Sequence, residues 1–80
     1  MNDQDVMQHI QSLVDEEHHL QRLEEEGKIQ SGQRDRVHEI EVQLDQYWDL
    51  LRQRRARRNA GLNPDDAQER DASIVENYRQ

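Results

Sequence analysis

Between residues 37 and 51 the apolar side chains of this chain fall at Val37, Ile40, Leu44, Tyr47 and Leu51, in steps of three and four. A strand would alternate at every second residue, whereas this spacing traces one seam of an α-helix. The only tryptophan, Trp48, lies beside the seam. It widens the apolar stripe beyond what one partner helix covers, so the sequence predicts a second contact surface. Past Leu51 the same steps reach Arg54, Arg55 and Arg58, and the seam turns from aliphatic to cationic. An acidic or phosphate-bearing group is expected to meet that end.

A second seam runs through Val6, Ile10, Leu13 and Leu20, with Met7, Val14 and Leu23 beside it and Asn2 or Asp3 placed to cap. It predicts helix one over residues 3–26, with Glu17 and Glu24 on the same stripe. Gly27 after Glu26 suits a left-handed helix terminus; Ile29 can fold back against it, and Ser31 can cap helix two over residues 33–60. So short a turn forces the helices antiparallel. The resulting register pairs Leu20 with Ile40, Leu13 with Tyr47 and Ile10 with Leu51. It also sets Asp3 and Asp5 beside Arg55 and Arg58. Gly61 closes this first region, residues 1–61.

In the remaining tail, residues 62–80, Asn63, Pro64, Asp65 and Asp66 read as a cap, a first-turn proline and two acids favoured by the helix dipole. Ser73 and Glu76 have capping-box spacing ahead of Ile74, Val75 and Tyr78, which could dock as a last turn.

Composition narrows the class further. With 31% hydrophobic and 36% charged residues the chain could be disordered or built of long amphipathic helices, and the periodicity selects helices. Eighty residues without cysteine must find their stability in packing, and oligomerisation is the usual supplement. No run approaches the roughly 20 apolar residues that span a bilayer, and the first residues, MNDQDVMQHI, lack a basic, then apolar, leader pattern. The expectation is a soluble cytoplasmic protein with no membrane partner.

The net charge of −7 conceals a segregation, because residues 52–61 hold five arginines and no acid. Arg52, Arg54, Arg55, Arg57 and Arg58 could form an anionic-partner patch for phosphates or for an acidic protein. Against nucleic acid, no aromatic residue or glycine interleaves the arginines, the whole chain is acidic, and Asp3, Asp5, Asp65, Asp66, Glu69 and Asp71 can neutralise the patch from within. Glu16 and His19 have the Glu-x-x-His spacing of di-iron bundles, but Glu17 rather than Glu16 points along the stripe and no second pair accompanies them. Solvated or stripe-edge side chains explain Glu16, His18, His19, His38 and His9 better than a metal does. Ser12, Ser31 and Ser73 have no organised histidine and carboxylate neighbours, so no catalytic residues and no cofactor are assigned. Tyr47 and Trp48 suit an interface better than a ligand groove.

Three segments, LVDEEHHL at 13–20, LDQYWDLLRQRRARRNAG at 44–61 and NPDDA at 63–67, resemble a small family of uncharacterised actinobacterial proteins known as a domain of unknown function. The likeness covers nearly the whole chain. It implies a bacterial cytosolic helical hairpin and carries over no activity. Cysteine is expected to be common in that family at the position of Tyr47, so a thiol role does not transfer. The combined expectation is an all-α protein: an antiparallel two-helix hairpin with a short C-terminal helical tail, pairing with a second copy into a four-helix, coiled-coil-like bundle through Leu44, Tyr47, Trp48 and Leu51. Its role would be that of a non-enzymatic interaction and oligomerisation module, with nucleic-acid binding as the alternative and a metal site at the dimer interface third.

Overall fold

The structure, a computed structural model, describes residues 1–77. Helix α1 spans Asp3–Glu25 and α2 spans Ser31–Asn59; a 3₁₀ turn at Pro64–Asp66 and a short α3 at Ala72–Asn77 follow. Among the described residues there is no strand. The all-α hairpin with a short helical tail is the observed fold, in a body of 50 × 26 × 16 Å.

Each helix is started and stopped by local chemistry. Asn2 caps α1 through a reciprocal pair, its side chain accepting from the Asp5 amide at 2.8 Å while the Asp5 carboxylate accepts from the Asn2 amide at 3.2 Å. At the other end the Lys28 amide reaches the Leu23 carbonyl (2.8 Å) and the Gly27 amide the Glu24 carbonyl (3.0 Å), with Gly27 at φ 71°. Helix α2 ends in the same way, at Gly61 with φ 75° and with Leu62 bonded to Arg57. These are Schellman terminations, which need the left-handed conformation that glycine adopts without steric penalty.

Two caps differ from expectation. Helix α2 begins at Ser31 itself, because the Gln33 side chain accepts from the Gln30 amide at 2.9 Å and caps the helix one residue earlier. In the tail, Asp71 rather than Ser73 caps α3; its carboxylate accepts from the Ser73 amide (2.9 Å) and hydroxyl (2.6 Å), which also draws the Asp71 carboxyl below its ordinary value. A carboxylate is the stronger acceptor, so it takes the position. Asn63 does accept from the Asp65 amide, but the turn it opens closes after three residues and does not extend into a helix.

The core lies along the α1–α2 seam in two clusters. Val6, Ile10 and Leu50 form one, with Val14, Leu44, Tyr47, Leu51 and Ala67 packed against it; Leu13, Leu20 and Ile40 form the other, with Leu23, Val37, Leu44 and Tyr47 around it. The pairings expected from the hairpin register fall within these clusters. Each fully buried aliphatic side chain contributes about 1.5–3 kcal/mol over an exposed one. Leu50, which the seam reading omits, is buried in the first cluster with Val6 and Ile10 of α1, and Ala67 of the tail packs against that cluster. In that tail Val75 is buried and Ile74 is exposed. Tyr78, expected to dock with them, lies outside the described residues.

Candidate functional site

Two surfaces on α2 hold the residues singled out from the sequence, and the first is its arginine end. Arg54 is only 4% exposed. Its Nε donates to one carboxylate oxygen of Asp3, its Nη1 to the Pro64 carbonyl at 3.1 Å, and its Nη2 lies 3.0 Å from Asp65. A guanidinium offers five donors in a fixed plane, so one side chain can bind the start of α1 and the tail together. Arg58 donates to the second Asp3 oxygen at 2.8 Å; Arg57 donates to the Asn63 carbonyl at 2.8 Å and lies 3.6 Å from Asp66.

The hydrogen bonds from Arg54, and then those from Arg58, hold the Asp3 carboxyl below its ordinary value of 3.8. The same Asp3 contact pushes Arg54 further up. The five-arginine run is therefore divided. Arg54, Arg57 and Arg58 are turned to the chain's own acids and carbonyls, while Arg52 and Arg55 are exposed and make no ion pair among the described residues. Asp5, expected beside this end, serves the α1 cap instead.

The second surface surrounds Trp48. Of the four residues expected at an interface, Leu44, Tyr47 and Leu51 pack within the hairpin, whereas Trp48 is 43% exposed. Tyr47 stacks on His9, ring centroids 5.2 Å apart and planes within 5° of parallel. Burial, and then the neighbouring Glu69 carboxylate, push its hydroxyl up. Beside the indole opens a groove of about 440 Å³ lined by Glu17, Glu41, Leu44, Asp45 and Trp48. Glu17, on the α1 stripe, thus comes to face α2 acids across the seam. Arg52 and Arg55 follow Trp48 one and two turns on along the same side of α2.

Glu16 gives both oxygens to Arg36, at 2.6 and 2.8 Å, and this pairing lowers the Glu16 carboxyl. His19 is exposed. The acid is thus tied across the hairpin, and the imidazole faces outward. No group of three or more His, Asp or Glu side chains among the described residues is arranged to hold a metal ion. No helix among them is long and apolar enough to cross a membrane.

Sequence reasoning missed the polar lining of α2 under the tail. Asp49 is buried, accepts from Gln53 at 2.9 Å and lies 3.5 Å from Arg70. Gln53 also donates to the Gln68 carbonyl at 2.9 Å and Gln46 to the Arg70 carbonyl at 3.2 Å. The available signal was a polar stripe, Gln46, Asp49, Gln53 and Arg57, at the same three- and four-residue steps as the apolar seam.

Fold and surfaces together define a small helical-hairpin protein, its tail folded onto the second helix and a partly exposed tryptophan beside an acidic groove. The chain belongs to the family described as "Protein of unknown function (DUF2630)", whose model matches residues 2–80. It is 44% identical over 77 residues to uncharacterized proteins of Mycobacterium bovis and Mycobacterium tuberculosis, covering 95% of this chain and 88% of theirs. No solved structure matches it.

Proposed function

We propose that this protein is a non-enzymatic helical interaction module that works as a homodimer, with the Trp48 side of α2 as the surface shared between copies. The observation that carries this reading is the 43% exposure of the single tryptophan beside a groove to which α1 contributes Glu17. Tryptophan is enriched at association surfaces, and this one is rimmed by polar side chains as such a surface is. The dimer surface is narrower than the four residues Leu44, Tyr47, Trp48 and Leu51 imply. Leu44, Tyr47 and Leu51 all pack in the hairpin core, and of these Leu44 also lines the groove beside the indole, so the contact rests on Trp48 with Leu44 at its rim. Two hairpins joined there make a four-helix bundle.

The nucleic-acid reading is weaker, since internal ion pairs leave two of the five arginines, Arg52 and Arg55, to meet phosphates. Sedimentation velocity tests the proposal. The expected result is a species of twice the 9.6 kDa chain mass at micromolar concentration, with Trp48→Ala monomeric and unchanged in helical circular dichroism. Because the indole is unique, its emission should also shift to the blue as concentration rises. A chain that stays monomeric up to about 100 μM overturns the reading.

A further inference from the structure

Resting on that self-association, we infer that the two copies meet α2 against α2 in antiparallel sense, about a twofold axis through Trp48, with Glu41 of each copy paired to Arg55 of the other. The inference comes from how charge is laid out on the exposed side of α2. Glu41 precedes Trp48 by seven residues and Arg55 follows it by seven, two helical turns either way. Leu44 and Arg52 stand four residues to either side. All five therefore share one stripe, acidic and apolar before the indole and basic after it.

A twofold contact presents the same patch from both copies, so the patch must complement itself. Antiparallel pairing centred on Trp48 does this. It stacks indole on indole, sets each Glu41 opposite the second copy's Arg55, and lays the aliphatic stem of each Arg52 over the second copy's Leu44. Parallel pairing would set Glu41 on Glu41, Arg52 on Arg52 and Arg55 on Arg55, and repulsion along the whole stripe rejects it.

The charges are available for this use. Glu41, Arg52 and Arg55 are exposed and form no ion pair within the described chain, unlike Arg54, Arg57 and Arg58 on the neighbouring sides. The groove beside Trp48, with Glu17, Glu41 and Asp45 in its lining, supplies an acidic recess into which the second copy's Arg52 and Arg55 project. Apart from Glu17 of α1, the seat and the side chains that fill it thus lie on the same helix, one on each side of the indole.

Charge reversal tests the arrangement separately from dimerisation itself. Glu41→Arg and Arg55→Glu each place two like-charge pairs in a twofold interface, and each is expected to weaken the dimer by about a hundredfold in sedimentation equilibrium. The double variant E41R/R55E exchanges the charges and should recover most of the wild-type affinity. Mixing the two single variants should produce heterodimer in preference to either homodimer, because one carries only cations at these positions and the other only anions. Both sites are exposed, so unchanged circular dichroism establishes that the variants fold. A wild-type dimer that neither reversal weakens, or a double variant as weak as the singles, overturns the antiparallel arrangement and leaves self-association standing. A wild-type monomer overturns both.

Discussion

Helix α2 is covered twice, and the two coverings are made differently. Toward α1 the buried contact is aliphatic, with Val6, Ile10, Leu13 and Leu20 meeting Ile40 and Leu50, and the directional pairs, Glu16 with Arg36 and Asp3 with Arg54 and Arg58, lie at its margins. Toward the tail the contact is mostly polar. Gln46 and Gln53 donate to tail carbonyls, Asp49 meets Arg70, and Arg54 holds the Pro64 carbonyl and Asp65, with Ala67 and Val75 the apolar contributors. Burial of hydrocarbon is additive and tolerant of small shifts. A buried polar contact is worth little net while its partners are in place, and costs much when one is removed. The hairpin should therefore govern global stability and the tail contact should govern local order.

The strongest way to break that contrast is Ile40→Ala. Ile40 is fully buried in the second cluster, and truncation should cost about 2–5 kcal/mol, part of it for the cavity left behind. A chain of this length has only about 4–12 kcal/mol in total, so urea unfolding should show a large fall in midpoint or outright loss of the folded state. Next comes Arg54→Ala, with an expected cost of about 2 kcal/mol, because the freed Asp3 and Asp65 return to water and are not left stranded. Its signature is local: amide exchange should quicken across residues 62–77 while the α1–α2 seam keeps its protection. Equal loss in both regions would show that the two coverings form one cooperative unit.

The smallest effect is on pH. Asp3 and Glu16 have folded-state values held below their ordinary 3.8 and 4.5. The stability they add is thus complete above those ordinary values and disappears as pH falls through the lowered ones. Both groups are well exposed, so each should contribute no more than about 1 kcal/mol. Melting temperature should stay level from neutral pH down to about 5 and decline below 4.5, with Glu16→Gln already showing its share of the loss at pH 7.

How much of this could be read in advance follows the same division. The seam was legible because burial imposes a period, and Val6, Ile10, Leu13, Leu20, Ile40 and Leu44 display it. So was the hairpin turn, since Gly27 occupies a conformation that other residues adopt at a cost. Leu50 was not legible because it lies one residue off the steps that pick out Leu51, and Asp49 was not because it sits under a tail whose grip runs largely through its own backbone carbonyls, and carbonyls have no sequence. Arg54 shows the limit most clearly. The run of arginines read as one exposed patch, yet a shift of one residue separates the buried Arg54 from the exposed Arg55. Which acids reach which arginines was partly foreseeable for Asp3, Asp65 and Asp66, but the competing use of Asp5 and Asp71 as caps was decided within their own turns.

Because one guanidinium receives both Asp3 and the segment just after Gly61, the start of α1 and the first turn of the tail are mechanically coupled. Trimming or extending the leading end is thus an indirect manipulation of that turn. A variant lacking Asp3 should loosen the turn at residues 63–66 first, while Gln46, Asp49 and Gln53 keep their hold further along the tail.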